Sequence, residues 1–248
     1  MCSTSISSDV KLLFVPFLIL IFTRAYGQVN SILNFKVGNI IHRAQYSGNG
    51  KLESRTIEKV LRCDTTAEGL LFVLNIVKHS AAGEEVSNGE GTIRCVNGDI
   101  LIDMKSIYFM PDNKAYRWET ESEDLIIPGA MRDGDVLPDA KVVCIVIKEP
   151  RVKVRPAGSS LKSDMGARVI YAVNNRRVTN DTITTFLGKV QALKVTSDVV
   201  NESEVGVGFS VRLVTEEWYV PGVGLVRSKV KKERGKLVSS TVMTKRVE

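Results

Sequence analysis

The sequence predicts an all-β fold: one large curved antiparallel sheet, a half-barrel or clam-like shape, with at most one or two short helices. Three observations predict it. Short runs rich in Val, Ile, Leu and Thr recur through most of the chain. Turns rich in Gly, Asn and Asp separate them about every ten residues. Only the stretch near Ser106–Arg117 suits a helix, and Pro111 limits it to a turn or two. A sheet of roughly ten or more strands rarely stays open and flat, so strong curvature follows.

After the polar stretch Met1–Val10 come Lys11, the apolar run Leu12–Thr23, and then the small residues Ala25 and Gly27 two apart. A basic start, a short apolar run and a small-x-small site describe a secretory signal, residues 1–27, with the mature chain starting near Gln28. The run is shorter than the ~20 residues that span a bilayer as a helix, and it contains Pro16. No transmembrane segment is expected after cleavage. An exported protein, periplasmic or outer-membrane-associated, is the expected location. Residues 28–248 read as a single domain, with Arg151–Gly166 as a long internal loop.

The strands follow in order. Thr56–Cys63 alternates apolar and polar residues at period two, whereas Leu70–Lys78 is more continuously apolar. In Gly91–Asp103, two β-rich runs flank Asn97-Gly98, the pair best suited to the positive φ angles of a type I′ hairpin turn. Lys141–Lys148, Ala167–Val173, Lys189–Asp198 and Val207–Val220 read as further strands. The last ends in Trp218-Tyr219, where Pro221 stops the ladder and Gly222 and Gly224 permit a sharp structural corner. The chain then returns through "GLVRSKVKKE", turns at Arg234-Gly235 and ends in "KLVSSTVMTKRV", a β-meander. The two rings of Trp218 and Tyr219 are expected to close the base of the fold. They are also the residues considered for ligand or partner binding, one of them lining a groove.

Composition narrows the function. The formal net charge is +6, of which the signal contributes +1 through Lys11 and Arg24 against Asp9. Aromatic residues make up 6% of the chain, too few to interleave with the basic charge as nucleic-acid surfaces require. Three cysteines follow the signal: Cys63, Cys95 and Cys144. An odd number leaves at least one thiol unbridged in an oxidising compartment, and Cys63 with Cys95 is a candidate pair. With His42 and His79 as the only histidines, no zinc site and no Ser-His-Asp arrangement is expected. Asp133, Asp135 and Asp139 alternate around a glycine but lack the further ligands of a calcium loop, so they read as a polar turn. Neither cofactor, metal nor catalytic residue is expected.

Four ordered stretches carry a family resemblance: Gly91–Ser106, Asp133–Val142, Asn174–Val199 and "EEWYVPGVGLVRSKVKKERGKLVSS" from Glu216 to Ser240. Together they resemble the TapB-like family of exported Bacteroidetes proteins. The resemblance implies a mostly β, exported protein with no established catalytic residues, and a tetratricopeptide-repeat protein of the envelope as partner. Two departures stand out. Ala192 occupies a place where the family often has a cysteine, so a bridge to Cys95 that this cysteine would imply is missing. Phe186-Leu187 stands where the family tends to have Pro-Ala. The functional expectation is a non-enzymatic envelope protein that binds a protein partner or an apolar, lipidic ligand. The alternative is an envelope glycan hydrolase using the acids clustered at Glu119, Glu121, Glu123 and Asp124.

Export is directly testable. N-terminal sequencing of the protein from a periplasmic fraction is expected to begin near Gln28, and an intact Met1 in cytosol would remove the compartment argument.

Overall fold

The computed structural model describes residues 35–104, 116–148, 167–204 and 208–248. Thirteen strands follow one another: β1 (Ile40–Ser47), β2 (Leu52–Thr65), β3 (Leu70–Ser80), β4 (Glu85–Val96), β5 (Asp99–Asp103), β6 (Tyr116–Ser122), β7 (Asp124–Ile127), β8 (Ala140–Lys148), β9 (Ala167–Thr185), β10 (Gly188–Ser203), β11 (Phe209–Val220), β12 (Gly224–Lys232) and β13 (Leu237–Val247). All belong to one antiparallel sheet, in the order β6-β8-β9-β10-β11-β12-β13-β1-β2-β3-β4-β5-β7. The curve is nearly closed, as a barrel would be. The helix expected near Ser106 falls mostly outside the described residues, as does the loop Arg151–Gly166.

The two edges of this sheet are consecutive pieces of chain. β6 pairs with β8 and β7 pairs with β5. Only Glu123 stands between them. Its N–H donates to the Lys141 carbonyl (3.0 Å), and its carbonyl accepts from the Met104 N–H (3.1 Å). One extended stretch therefore serves one edge with its first half and the other edge with its second. Exposed sheet edges are templates for unwanted pairing, and closure removes them.

Alternation then assigns the two faces. The concave face is fixed by a cluster that joins Ile100, Ile127, Val178, Val195 and Tyr219, residues drawn from both halves of the sheet. Met131 and Leu137, from the segment after β7, pack into the same cluster. A second cluster continues along this face through Leu125, Ala140, Val142, Cys144, Val173 and Val199. A third holds Val60, Phe72, Leu74 and Cys95, and Phe35 meets Phe72 edge to face at 5.6 Å. A thirteen-stranded cylinder is too wide for side chains to fill, since about eight strands is the filled size. Here the inserted segment 128–139 fills part of the interior instead.

Arg176 ties that segment in place. It is 1% exposed, and its Nη1 donates to the carbonyls of Ile126 and Pro138, both at 2.8 Å. Around it the Leu137 N–H donates to the Arg176 carbonyl, and Val178 exchanges hydrogen bonds with Gly134 and Asp135. The β9–β10 register shifts here between Thr196 and Asp198, and Asn175 takes a φ of 53°. Such a bulge re-aims the strand and turns the arginine inward.

The β4–β5 connection has φ 53° at Asn97 and 90° at Gly98, with Val96 opposite Asp99 and Cys95 opposite Ile100. A Cβ-bearing residue resists positive φ, and a β-branched one most of all. Gly98→Val is expected to lower stability by about 1–2 kcal/mol, measured as a shifted urea midpoint. An unchanged midpoint would contradict the turn geometry.

Candidate functional site

On the concave face of β11, Leu213, Thr215, Glu217 and Tyr219 alternate inward. Leu213 and Tyr219 belong to core clusters, so Glu217 is a carboxylate placed at a core-facing position. The Tyr219 hydroxyl donates to Glu217 Oε2 at 2.9 Å. Burial pushes the Glu217 carboxyl above its ordinary range, against the pull of the Tyr219 hydrogen bond and of Arg176 and Arg43. Burial, then the neighbouring Glu217, pushes the Tyr219 hydroxyl well up, so it stays protonated and donates. Burial also lowers Arg176, with Tyr219, Glu217 and Asp139 opposing.

A second pair completes the charged floor. Arg43 on β1 and Glu58 on β2 share this face, with Nε to Oε1 at 2.8 Å and side-chain exposures of 16% and 19%. Arg43 Nη1 also donates to the Leu225 carbonyl on β12 at 2.8 Å. Two guanidinium groups and two carboxyl groups thus stand on the inner wall. Partly buried charges are retained when hydrogen bonds compensate their lost hydration, and the guanidinium groups have such partners here. The arrangement can bind and orient a polar group.

Neither Trp218 nor Tyr219 is presented at a rim: their exposures are 5% and 4%. Trp218 belongs to a different cluster from Tyr219, packed with Ile41, Ile183, Ala192, Val220, Val226 and Met243. Its Nε1 donates to Asp181 Oδ2 at 2.7 Å, and the Lys229 ammonium sits 5.4 Å from the ring centroid. The corner takes φ 75° at Gly222 and 94° at Gly224, and the Val223 N–H donates to the Val220 carbonyl. Pro221 is exposed, and Arg246 Nη1 donates to the carbonyls of Gly222 and Val223.

The bridge considered between Cys63 and Cys95 is not formed. β3 lies between their strands. Two interstrand spacings put the α-carbons at least ~9 Å apart, beyond disulfide reach. Asp133 and Asp135 accept hydrogen bonds from the N–H groups of Asn180 and Arg132, holding a turn. Glu119 and Glu121 lie exposed on β6, opposite Ile145 and Val143. Among the described residues, no group of three or more His, Cys, Asp or Glu is placed to hold a metal ion.

The residues of the charged floor were not singled out from the sequence. The available signal was Glu217 itself, a charge interrupting the inward alternation that runs from Leu213 to Tyr219. Because the folded protein holds this carboxyl above its ordinary value, protonation favours the fold. That contribution is complete below the ordinary value and is lost as pH rises through the raised one. Compared with Glu217→Gln, the wild-type protein is therefore expected to lose relative stability as pH rises from the ordinary carboxylate value through the raised one. Paired urea melts across that range check it, and a difference that does not vary with pH would contradict the desolvation.

Comparison with known proteins adds the following. The DUF3108-like family model matches residues 36–243. A solved Bacteroides fragilis protein of YmcC-like fold, provisionally classed as exported, superposes with a TM-score of 0.63 at 20% identity, over 88% of this chain and 100% of its own. A Parabacteroides distasonis protein provisionally classed as a lipoprotein gives 0.62 at 21% identity, over 88% of this chain and 99% of its own. At such identities the likeness is one of fold. The chain has no match among curated proteins. The TapB-like name drawn from the four motifs stays a resemblance, and the broader assignment rests on a match over most of the chain: it belongs to the DUF3108-like family.

Proposed function

We propose that this is an exported, non-enzymatic envelope protein whose concave face binds an amphipathic ligand, a lipidic chain carrying a polar head. The observation that carries the reading is the mixed chemistry of that face. Phe209 and Val211 are exposed by 55% and 43%, and both alternate inward with Leu213 and Glu217 along β11. Ile76, 36% exposed, lies directly opposite Glu58. Apolar side chains left open to solvent on a concave surface mark a binding surface more often than a solvated one. From Phe209 to Glu217 the inner wall runs about 27 Å, at about 3.4 Å per residue. An apolar approach thus leads to a charged floor.

Two further points support the reading. The carboxylates considered for hydrolysis, Glu119 and Glu121, are exposed side by side on one strand rather than facing across a cleft. The solved proteins of similar fold are classed as an exported protein and a lipoprotein, in line with the signal-like start of this sequence.

Mass spectrometry of the protein purified natively from envelope extract tests this. Bound lipid is expected with wild type and lost from a Phe209→Asp, Val211→Asp double variant with an unchanged melting curve. Equal lipid in both, or none in either, would overturn the reading. Specific retention of a tetratricopeptide-repeat protein without lipid would replace it by protein docking.

A further inference from the structure

The convex face carries a separate feature. Register sets Lys245 of β13 opposite His42 of β1, and Arg55 of β2 opposite His79 of β3. His42 itself stands opposite Ile57, two residues from Arg55 on the same face. Diagonal neighbours of this kind lie ~7–8 Å apart. Four side chains of basic type therefore follow one another across four adjacent strands. Lys59, two residues beyond Ile57, extends the same face. A hollow of about 260 Å³ lies along this row, lined by His42, Arg43, Arg55, Thr56, Ile57, His79 and Thr244, with Gly83 of the β3–β4 turn at its border.

Lys245 and Arg55 bring fixed positive charge to this row, which an anion would neutralise. Elsewhere in the sheet a carboxylate does so: Arg43 meets Glu58, Arg62 meets Asp64, and Arg94 meets Asp124. Among the described residues, Arg55 meets no carboxylate. Glu53 accepts a hydrogen bond from Gln45, and Glu85, opposite His79 at the end of the stripe, makes no ion pair among the described residues.

We propose that this hollow binds a phosphate-type oxyanion. Arg55 supplies the forked N–H donors that match such an anion, and ring N–H groups of His42 and His79 approach it from the neighbouring strands. Ile57 forms an apolar base that keeps the donors from collapsing together. The phosphate chemistry is shared by free inorganic phosphate and by the headgroup of an anionic lipid.

The chain has two histidines, so the imidazole C2–H region of its proton spectrum is a two-line report on this hollow. Titration with inorganic phosphate at fixed pH and ionic strength is expected to move both lines saturably. Chloride in place of phosphate should not. Arg55→Gln, at an exposed position, should keep its melting curve and weaken the response at least ~10-fold. Arg212→Gln, at the exposed pair with Glu233, should leave it unchanged. Co-sedimentation with phosphatidylglycerol and phosphatidylcholine vesicles identifies the source. Retention on the anionic vesicles alone, lost in Arg55→Gln, assigns a lipid headgroup; a phosphate response without retention assigns a free oxyanion. Neither response, or responses equal in Arg55→Gln and wild type, would overturn the site.

Discussion

The structure depends on how a thirteen-stranded sheet disposes of its edges. The stretch from Tyr116 to Ile127 pairs outward on one edge, crosses at Glu123 and pairs on the other. Without that splice, β5 and β8 would each expose a row of unpaired backbone groups. With it, the concave face becomes an interior, and everything placed there is judged by burial. Apolar clusters gather where β5 and β7 meet β9 and β10. Arg176 follows from the same constraint, because the segment that fills the widened interior brings carbonyls that need donors.

Burial of charge is selective in consequence. Arg176 gives hydrogen bonds to two main-chain carbonyls, and Arg43 to a carboxylate and a third carbonyl. Glu217 has one hydroxyl donor, and its carboxyl is the group that rises. The inner wall therefore holds its cations and Glu58 firmly and Glu217 loosely. Such an imbalance is characteristic of binding and reactive sites, where a group's ionisation remains open to what enters.

Much of the strand pattern was legible in the sequence, for definite reasons. Leu70–Lys78 and Lys141–Lys148 are dense in β-branched and aliphatic residues, and both are strands. Asn97-Gly98 marks a turn that only a narrow set of backbone angles allows. The second half of β9, Asn174–Thr185, was less legible, because its polar side chains carry little apolar pattern and its strand character comes from pairing with β10. The splice was not legible at all: "RWETESEDLII" changes partner at Glu123, and only closure of the whole sheet decides that. Trp218 and Tyr219 drew attention as conspicuous rings, yet each is packed away, while Glu217 beside them is the carboxyl that burial pushes up. A charge is informative when its parity places it inside, and parity is known only once the concave face is.

The pairing of β1 with β13 has a consequence for the order of events. Thr244 Oγ1 donates to the carbonyl of His42, 202 residues away, and the ladder around it runs the length of β1. The first strand therefore has no permanent neighbour on that side until the last one has been made. Contacts of such wide sequence separation slow folding, because the long intervening loop must be closed before they form. A growing chain of this kind remains pliable through most of its synthesis and locks late.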